Sequence, residues 1–280
     1  MRLADDVLTQ LEQRIAGRPG PRVRALHLPP RPWNGSKDGE FGAIELDTGR
    51  PGQGALGLSY LLLDGTLAAL DGPAGTAPAL SGSDALQLAR LWRDGPTPAE
   101  RALGFAAVNA LSRHLLDACG RVPPDAPDSI GGLQPRAGDH IGMVGLFPPL
   151  LKQVTGCGAR LTVLELRADL VGRHAGCEVT LDPAALRHCD AVLLTSTVLL
   201  NHTLDELLPF LRQARALVMI GPGAGLLPDA LFERGLTAVG GSWVVDGPGL
   251  VSALVAGQAW GRCARKFVWT RGSWSRLGAP

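Results

Sequence analysis

Short apolar runs alternate with helix-like stretches through the second half of the chain. Residues 191–194 are uniformly apolar, as a strand buried on both faces would be, and a helical pattern, LDELLPFL, begins at residue 204. The same alternation extends from residue 139 to residue 245. It predicts an α/β fold whose parallel sheet carries helices on both faces.

The first half follows another order, in which strand patterns come before most of the helical ones. Such an order predicts a smaller α+β unit. A proline-rich segment with few apolar residues then separates the two halves. We therefore expect an N-terminal α+β domain over residues 1–122, a linker over 123–137 and a ligand-binding domain over 138–280.

Composition narrows the class of protein. The 27 Lys and Arg against 26 Asp and Glu give a net charge of +1, which provides no drive toward nucleic acid. No apolar stretch reaches the ~18 residues of a membrane span. The five cysteines contain no CxxC pair, which favours reduced thiols. We expect a cytoplasmic protein without a nucleic-acid or membrane partner.

Three hydroxyl residues follow the apolar run at 191–194. Thr195, Ser196 and Thr197 stand where a buried strand gives way to a helix. Open α/β sheets bind ligands at that edge, so these residues are candidate ligand contacts. The alternative is that the hydroxyls satisfy the backbone of their own loop.

The polar stretch continues to the start of the next helix. Asn201 and His202 are further candidate ligand contacts, and Thr203 with Glu206 fits a capping box. The alternative for His202 is a capping or packing residue. We predict no directly bound metal, because the chain has no HxH, HExxH or Cys/His cluster. The cofactor is left open.

Two other strand ends carry candidate residues. The first strand of the alternating half ends in GMVGLFPP, where Gly145 allows close backbone approach and Phe147 either stacks on a flat ligand or fills the core. Glu165 lies about 20 residues further on. It either accepts hydrogen bonds from the ribose hydroxyls of a dinucleotide or is a solvent-exposed carboxylate at the end of a strand.

The turn at residues 221–223 is the third candidate. Gly221, Pro222 and Gly223 form either an anion-binding nest or a plain turn. A tip at Trp33 is either a surface turn or a lip over a pocket. The apolar edge GGSWVVD and the tryptophan-rich tail offer a symmetric contact, so a homodimer is a further expectation.

Several runs resemble the family described as putative heavy-metal chelation. They are GMVGLFPPLL, TSTVLLNHTLDELL, GPGAGLLP, GLTAVGGSWVVD and, before them, ALGFAAVNAL. The resemblance implies an N-terminal domain similar to the enolase N-terminal domain and a Rossmann-like C-terminal domain. It also implies a ligand site in the groove between them, with Asn109 facing the site from the N-terminal side.

The function that follows is binding of a small anionic or metal-chelating ligand in the interdomain cleft, in heavy-metal chelation or handling. The alternative is a nucleotide- or S-adenosylmethionine-dependent enzyme, and a third hypothesis is a structural or dimerisation module. Catalytic residues are not assigned.

Overall fold

A computed structural model describes residues 2–17, 19–30, 40–49, 54–63, 65–70, 80–174 and 176–277. The Trp33 tip lies outside these ranges. The strands are β1 (Arg22–His27), β2 (Phe41–Asp47), β3 (Ala55–Tyr60), β4 (His140–Val144), β5 (Arg160–Leu164), β6 (Gly172–His174), β7 (Cys177–Thr180), β8 (Ala191–Thr195), β9 (Ala216–Ile220), β10 (Ala238–Val244) and β11 (Ala264–Thr270). The helices are α1 (Leu3–Ile15), α2 (Thr66–Leu70), α3 (Ala85–Asp94), α4 (Pro98–Ala118), α5 (Pro148–Thr155), α6 (Thr197–Leu200), α7 (Leu204–Leu207), α8 (Asp229–Glu233) and α9 (Gly247–Val255).

The large sheet has the strand order β11-β10-β9-β8-β4-β5-β7-β6. The six strands from β10 to β7 are parallel, and β11 and β6 are antiparallel edges. Numbered along the chain, the parallel strands follow the order 3-2-1-4-5-6 of a Rossmann sheet, whose direction of winding reverses between β4 and β8. The predicted α/β class is therefore confirmed.

Both faces of this sheet are covered. Helix α5 and the buried side chains of Ile130 and Leu133 pack on one face. The short helices α6 to α8 and the N-terminal helices pack on the other. The linker predicted over residues 123–137 is thus partly core, and its backbone also pairs with β11 through Pro124 and Ala126.

A smaller antiparallel sheet, β1-β2-β3, begins the chain. Helix α4 lies so close to β3 that a Cβ on Gly57 would overlap the backbone of Ala106 and Ala110. Glycine at residue 57 therefore permits the approach. These strands and α1 to α4 form the N-terminal unit, and the predicted α+β arrangement is confirmed.

One apolar core joins the N-terminal unit to the C-terminal unit, which comprises β4 to β11 and α5 to α9. Its buried residues include Trp92 and Phe105 from the first unit and Leu194 and Leu231 from the second. The Trp92 indole Nε1–H also donates to the Leu199 carbonyl at 2.9 Å. Because the core is continuous, the domain boundaries stay a prediction.

Two sequence expectations are wrong in detail. Residues 238–244 form one strand, β10, and β11, which carries no strand prediction, covers the apolar edge GGSWVVD that the sequence offers for a symmetric contact. The helix predicted from the pattern LDELLPFL ends at Leu207 and becomes a 3-10 turn, because Pro209 lacks an N–H and clashes with the preceding turn. No helix among the described residues is long and apolar enough to cross a membrane.

Candidate functional site

The loops after β4 and β8 meet where the winding of the sheet reverses. Gly145 leaves β4 with φ +85°, and a Cβ there would lie 3.3 Å from Thr195 Cγ2 and 3.6 Å from Phe147 Cε2. Phe147 is half-buried and precedes α5. We call Gly145, Phe147, Thr195 and Thr197 the switch-point site. Four predicted ligand residues from two loops thus lie side by side at the edge where open sheets bind ligands.

The hydroxyls of this site bond locally. Thr195 Oγ1 lies 3.1 Å from Thr197 Oγ1 and accepts the Thr197 N–H at 3.2 Å. Thr195 and Thr197 are half-buried, whereas Ser196 is buried. Thr195 therefore satisfies its own loop, as the alternative interpretation expects, while remaining partly accessible to a ligand.

Glu165 follows β5 and closes the neighbouring loop. One carboxylate oxygen, Oε1, accepts the Leu146 N–H at 2.5 Å, and Oε2 accepts the Leu166 N–H at 3.1 Å. A ribose would have to compete with these backbone donors. Glu165 thus occupies the position of the acidic residue that binds ribose in dinucleotide-binding folds, but its hydrogen bonds stabilise the backbone of two loops.

The turn after β9 lies against the same site. Gly221 has φ +138°, and a Cβ there would overlap Ser196 Oγ. A Cβ on Gly223 would come within 3.2 Å of the same oxygen. Pro222 between them is half-buried. The structure therefore brings this predicted turn to the hydroxyl loop.

Asn109 joins the turn to the N-terminal unit. Its side chain is 3% exposed, and Nδ2 donates to the Leu58 carbonyl at 2.8 Å and to the Gly223 carbonyl at 3.0 Å. The buried Oδ1 has no hydrogen-bond partner among the described residues. The amide therefore links β3 to the turn.

Tyr60 is a residue near the site that has little sequence signal beyond being the single tyrosine of the chain, at the end of a strand. Burial raises the pKa of its phenol, and the carboxylates of Glu40 and Glu165 raise it further. The Glu165 carboxylate is therefore near enough to act on the phenol electrostatically. The phenol is thus protonated at neutral pH and able to donate a hydrogen bond.

Asn201 follows α6, and its backbone N–H donates to the carbonyl of Thr197 at 3.1 Å. Its Oδ1 accepts the Thr203 hydroxyl at 2.8 Å and the Thr203 N–H at 3.3 Å. The predicted capping box is wrong, because the Thr203 side chain makes no cap hydrogen bond to the helix and bonds Asn201 instead. Asn201 therefore supports the local turn.

The His202 side chain packs against Trp92 of the N-terminal unit. Its ring stacks on Trp92 with centroids 5.5 Å apart, and Nε2 donates to the Trp92 carbonyl at 2.8 Å. Burial lowers the pKa of the imidazole. Among the described residues it is the one non-glycine with positive φ, 60°. It lines a separate cavity of about 300 Å³ together with Arg2 and Arg93.

The donor atoms do not fit a directly held heavy metal. In the described ranges, no three His, Cys, Asp or Glu side chains converge. Burial raises the pKa of Cys189 to about 11, so its thiol stays protonated at neutral pH. The exposed His174 ring lies 2.6 Å from the Leu170 carbonyl and has that oxygen as its hydrogen-bond partner. A transition metal needs three or four converging ligands.

These features define a two-unit protein with a Rossmann-ordered sheet and a site where the strand order reverses. The chain belongs to the DUF364 family, described as putative heavy-metal chelation, whose match covers residues 129–270, about half of the chain. Uncharacterized protein MJ0500 of Methanocaldococcus jannaschii is 27% identical over 149 residues, which are 52% of this chain and 56% of that protein. The chain thus matches about half the length of this curated relative.

Two crystal structures of DUF364 proteins of unknown function are similar over nearly the whole chain. The protein from Pyrococcus horikoshii has a TM-score of 0.70 and 18% identity, with 96% of this chain and 99% of that chain covered. The protein from Desulfitobacterium hafniense DCB-2 has a TM-score of 0.68 and 20% identity, with 95% and 99% covered. At these identities the likeness shows a shared fold.

Proposed function

We propose that the protein binds a small anionic ligand or a metal chelate at the switch-point site, between the two units. The observation that carries the proposal is the close approach of Gly145 to Thr195 and Phe147, where the loops after β4 and β8 diverge. Such a loop pair gives a ligand close backbone approach, hydroxyl donors and an aromatic face. The Gly221–Gly223 turn and the Tyr60 phenol would border it.

The chemistry of the side chains favours a chelate over a bare metal ion. Hydroxyls and backbone N–H groups are donors toward anionic oxygens, whereas soft transition metals prefer thiolate and imidazole ligands. Glu165 already accepts two backbone N–H groups. We propose that the protein handles a heavy metal as cargo inside an organic chelator, with metal coordination supplied by the chelator.

A paramagnetic probe tests this proposal. Nickel(II) citrate added to ¹⁵N-labelled protein, with citrate in excess, should broaden the amide signals of Gly145 and Thr197 while zinc(II) citrate only shifts them. EDTA should restore the signals. Broadening centred on His174 or Cys157 would indicate a bare ion on surface ligands, and unaltered signals at Gly145 would contradict a chelate site there.

A nucleotide- or S-adenosylmethionine-dependent enzyme is the second candidate. It is favoured by the 3-2-1-4-5-6 strand order with Glu165 at the end of the second strand. We rank this enzyme hypothesis second because the Glu165 carboxylate already accepts the Leu146 N–H, which a ribose hydroxyl would have to displace. Saturable binding of ATP, NAD or S-adenosylmethionine that Glu165→Gln weakens would reverse the order.

We also propose that the protein forms a homodimer. Analytical ultracentrifugation would measure its oligomeric state. The features that first favoured it now have intrachain partners: β11 covers β10, and Trp260 and Trp269 are buried within the chain. A dimer would therefore use other surfaces.

A further inference from the structure

A small cavity lies beside the turn that borders the switch-point site. Its volume is about 20 Å³, and Asn109, Arg113, Pro222, Gly225 and Trp243 contribute to its lining. A space of this size holds about one water-sized group, provided that polar atoms are there to bind it.

Asn109 supplies such an atom. Its Nδ2 donates both hydrogens to carbonyl oxygens, those of Leu58 and Gly223, which fixes the orientation of the amide. Its Oδ1 is therefore an acceptor, and it is buried with no partner among the described residues. Buried acceptors in native proteins are nearly always paired, with protein or with water.

The positive charge of Arg113, which lines the cavity, limits the charge of any group (the guest) that could bind there. The Arg113 guanidinium lies 3.9 Å from the centre of the Trp243 ring. Its nitrogens donate to Asp117 and to the Val244 carbonyl at 2.9 Å, so it has its own acceptors. An ammonium guest would be repelled by this positive charge, whereas an uncharged hydroxyl is not.

We infer that this cavity is a binding site for one uncharged O–H donor, which bonds Asn109 Oδ1. The donor is either an ordered water or a hydroxyl group of a small molecule. Because the same amide bonds Gly223, a guest here is linked through one side chain to the turn beside the switch-point site. The inference stands whether or not that site binds a chelate.

Gly225→Ala is the variant that tests it. A Cβ on Gly225 would lie 3.5 Å from Asn109 Oδ1, an ordinary contact that leaves both Nδ2 hydrogen bonds intact. The methyl group would occupy the space of the guest. Gly272→Ala is the matched control, because its Cβ would meet nothing closer than Thr270 Oγ1 at 4.0 Å.

Crystal structures of the full chain and of both variants, each with and without ethylene glycol as the probe, give the readout. We expect density about 2.8 Å from Oδ1 in the unmodified chain and in Gly272→Ala, and its loss in Gly225→Ala. Spherical density unchanged by the probe identifies water, and elongated density that appears with the probe identifies a ligand hydroxyl. Absence of density in the unmodified chain, or its persistence in Gly225→Ala, would overturn the inference.

The melting temperature gives a second readout in solution. If the cavity holds a guest, Gly225→Ala displaces it and leaves Oδ1 unpaired, so the variant melts below Gly272→Ala. If the cavity were empty, the methyl would fill a void and the variant would melt above the control. A higher melting temperature would therefore contradict the inference.

Discussion

The two ends of the large sheet treat their polar side chains differently. At the amino ends of the strands, the partners come from separate strands or loops: Asp139 pairs with Arg215, and Asp190 accepts the His140 N–H. The His140 ring lies between Thr162 on β5 and Arg160, at 2.8 Å from each. These contacts link the amino end of β4 to β5, β8 and β9.

At the carboxyl ends, the hydroxyl hydrogen bonds of the loop after β8 stay within that loop, and the bonds that cross between loops involve backbone groups, as from the Leu146 N–H to Glu165. Thr195 and Thr197 bond each other, and Gly145 and Gly221 adopt positive φ. Phe147 is half-buried beside them. Side chains at the amino end therefore mainly stabilise the fold. At the carboxyl end, the backbone sets the shape, and the side chains remain available to a ligand.

Replacing Gly221 should have the largest effect, because it breaks the backbone shape of the carboxyl end. Gly221→Ala would force an alanine to φ +138° and overlap Ser196 Oγ. Strain and overlap together should lower the free energy of unfolding by about 3 kcal/mol. Urea denaturation measures the change, with Gly272→Ala as control. Equal stability of the two variants would show that the loop relaxes.

Thr162→Val tests the amino end. Thr162 is 7% exposed, and the substitution removes the nearest partner of His140 Nε2, which keeps only the weaker contact with Cys189 Sγ at 3.7 Å. Losing this hydrogen bond should cost about 1–1.5 kcal/mol of unfolding free energy. The control is Thr155→Val, whose hydroxyl bonds a carbonyl of its own helix. Matching losses in the two variants would contradict a special role for the His140 contact.

Asn201→Ala separates a turn support from a ligand contact. Losing the hydrogen bonds from Thr203 should cost about 1 kcal/mol and leave nickel(II) citrate broadening at Gly145 unchanged. Weaker broadening with unchanged stability would instead indicate that Asn201 contacts the ligand.

Stability should fall as the pH is lowered through about 6.5, the ordinary histidine pKa. Burial lowers the folded-state pKa of His114, His140 and His202, and Arg160 lowers that of His140 further. Between the folded and unfolded pKa values, the unfolded chain binds more protons, so stability is full above 6.5 and declines below it. His140→Gln should flatten this decline in a melting series, and exposed His174→Gln should not. An equally steep decline in both variants would argue against His140.

The sequence predicts the sheet and the ends of its strands because both depend on local apolar runs. It does not predict where Glu165 bonds, since the contact with Leu146 needs the pairing of Val144 with Leu164 across β4 and β5. His202 lies away from the site because α6 places it one helical turn beyond the strand end, next to Trp92. Partners from distant elements decide such positions.

The most direct test compares Thr195→Val, at the carboxyl end of β8, with Thr162→Val, in the middle of β5, where the hydroxyl bonds His140 at the amino end of β4. Nickel(II) citrate broadening at Gly145 is measured at one probe concentration in each variant and in the unmodified chain. We expect Thr195→Val to lose the broadening at a cost below about 1 kcal/mol in stability, and Thr162→Val to keep the broadening. Retained broadening in Thr195→Val, with loss in Thr162→Val, would contradict a ligand site at the carboxyl ends of β4 and β8.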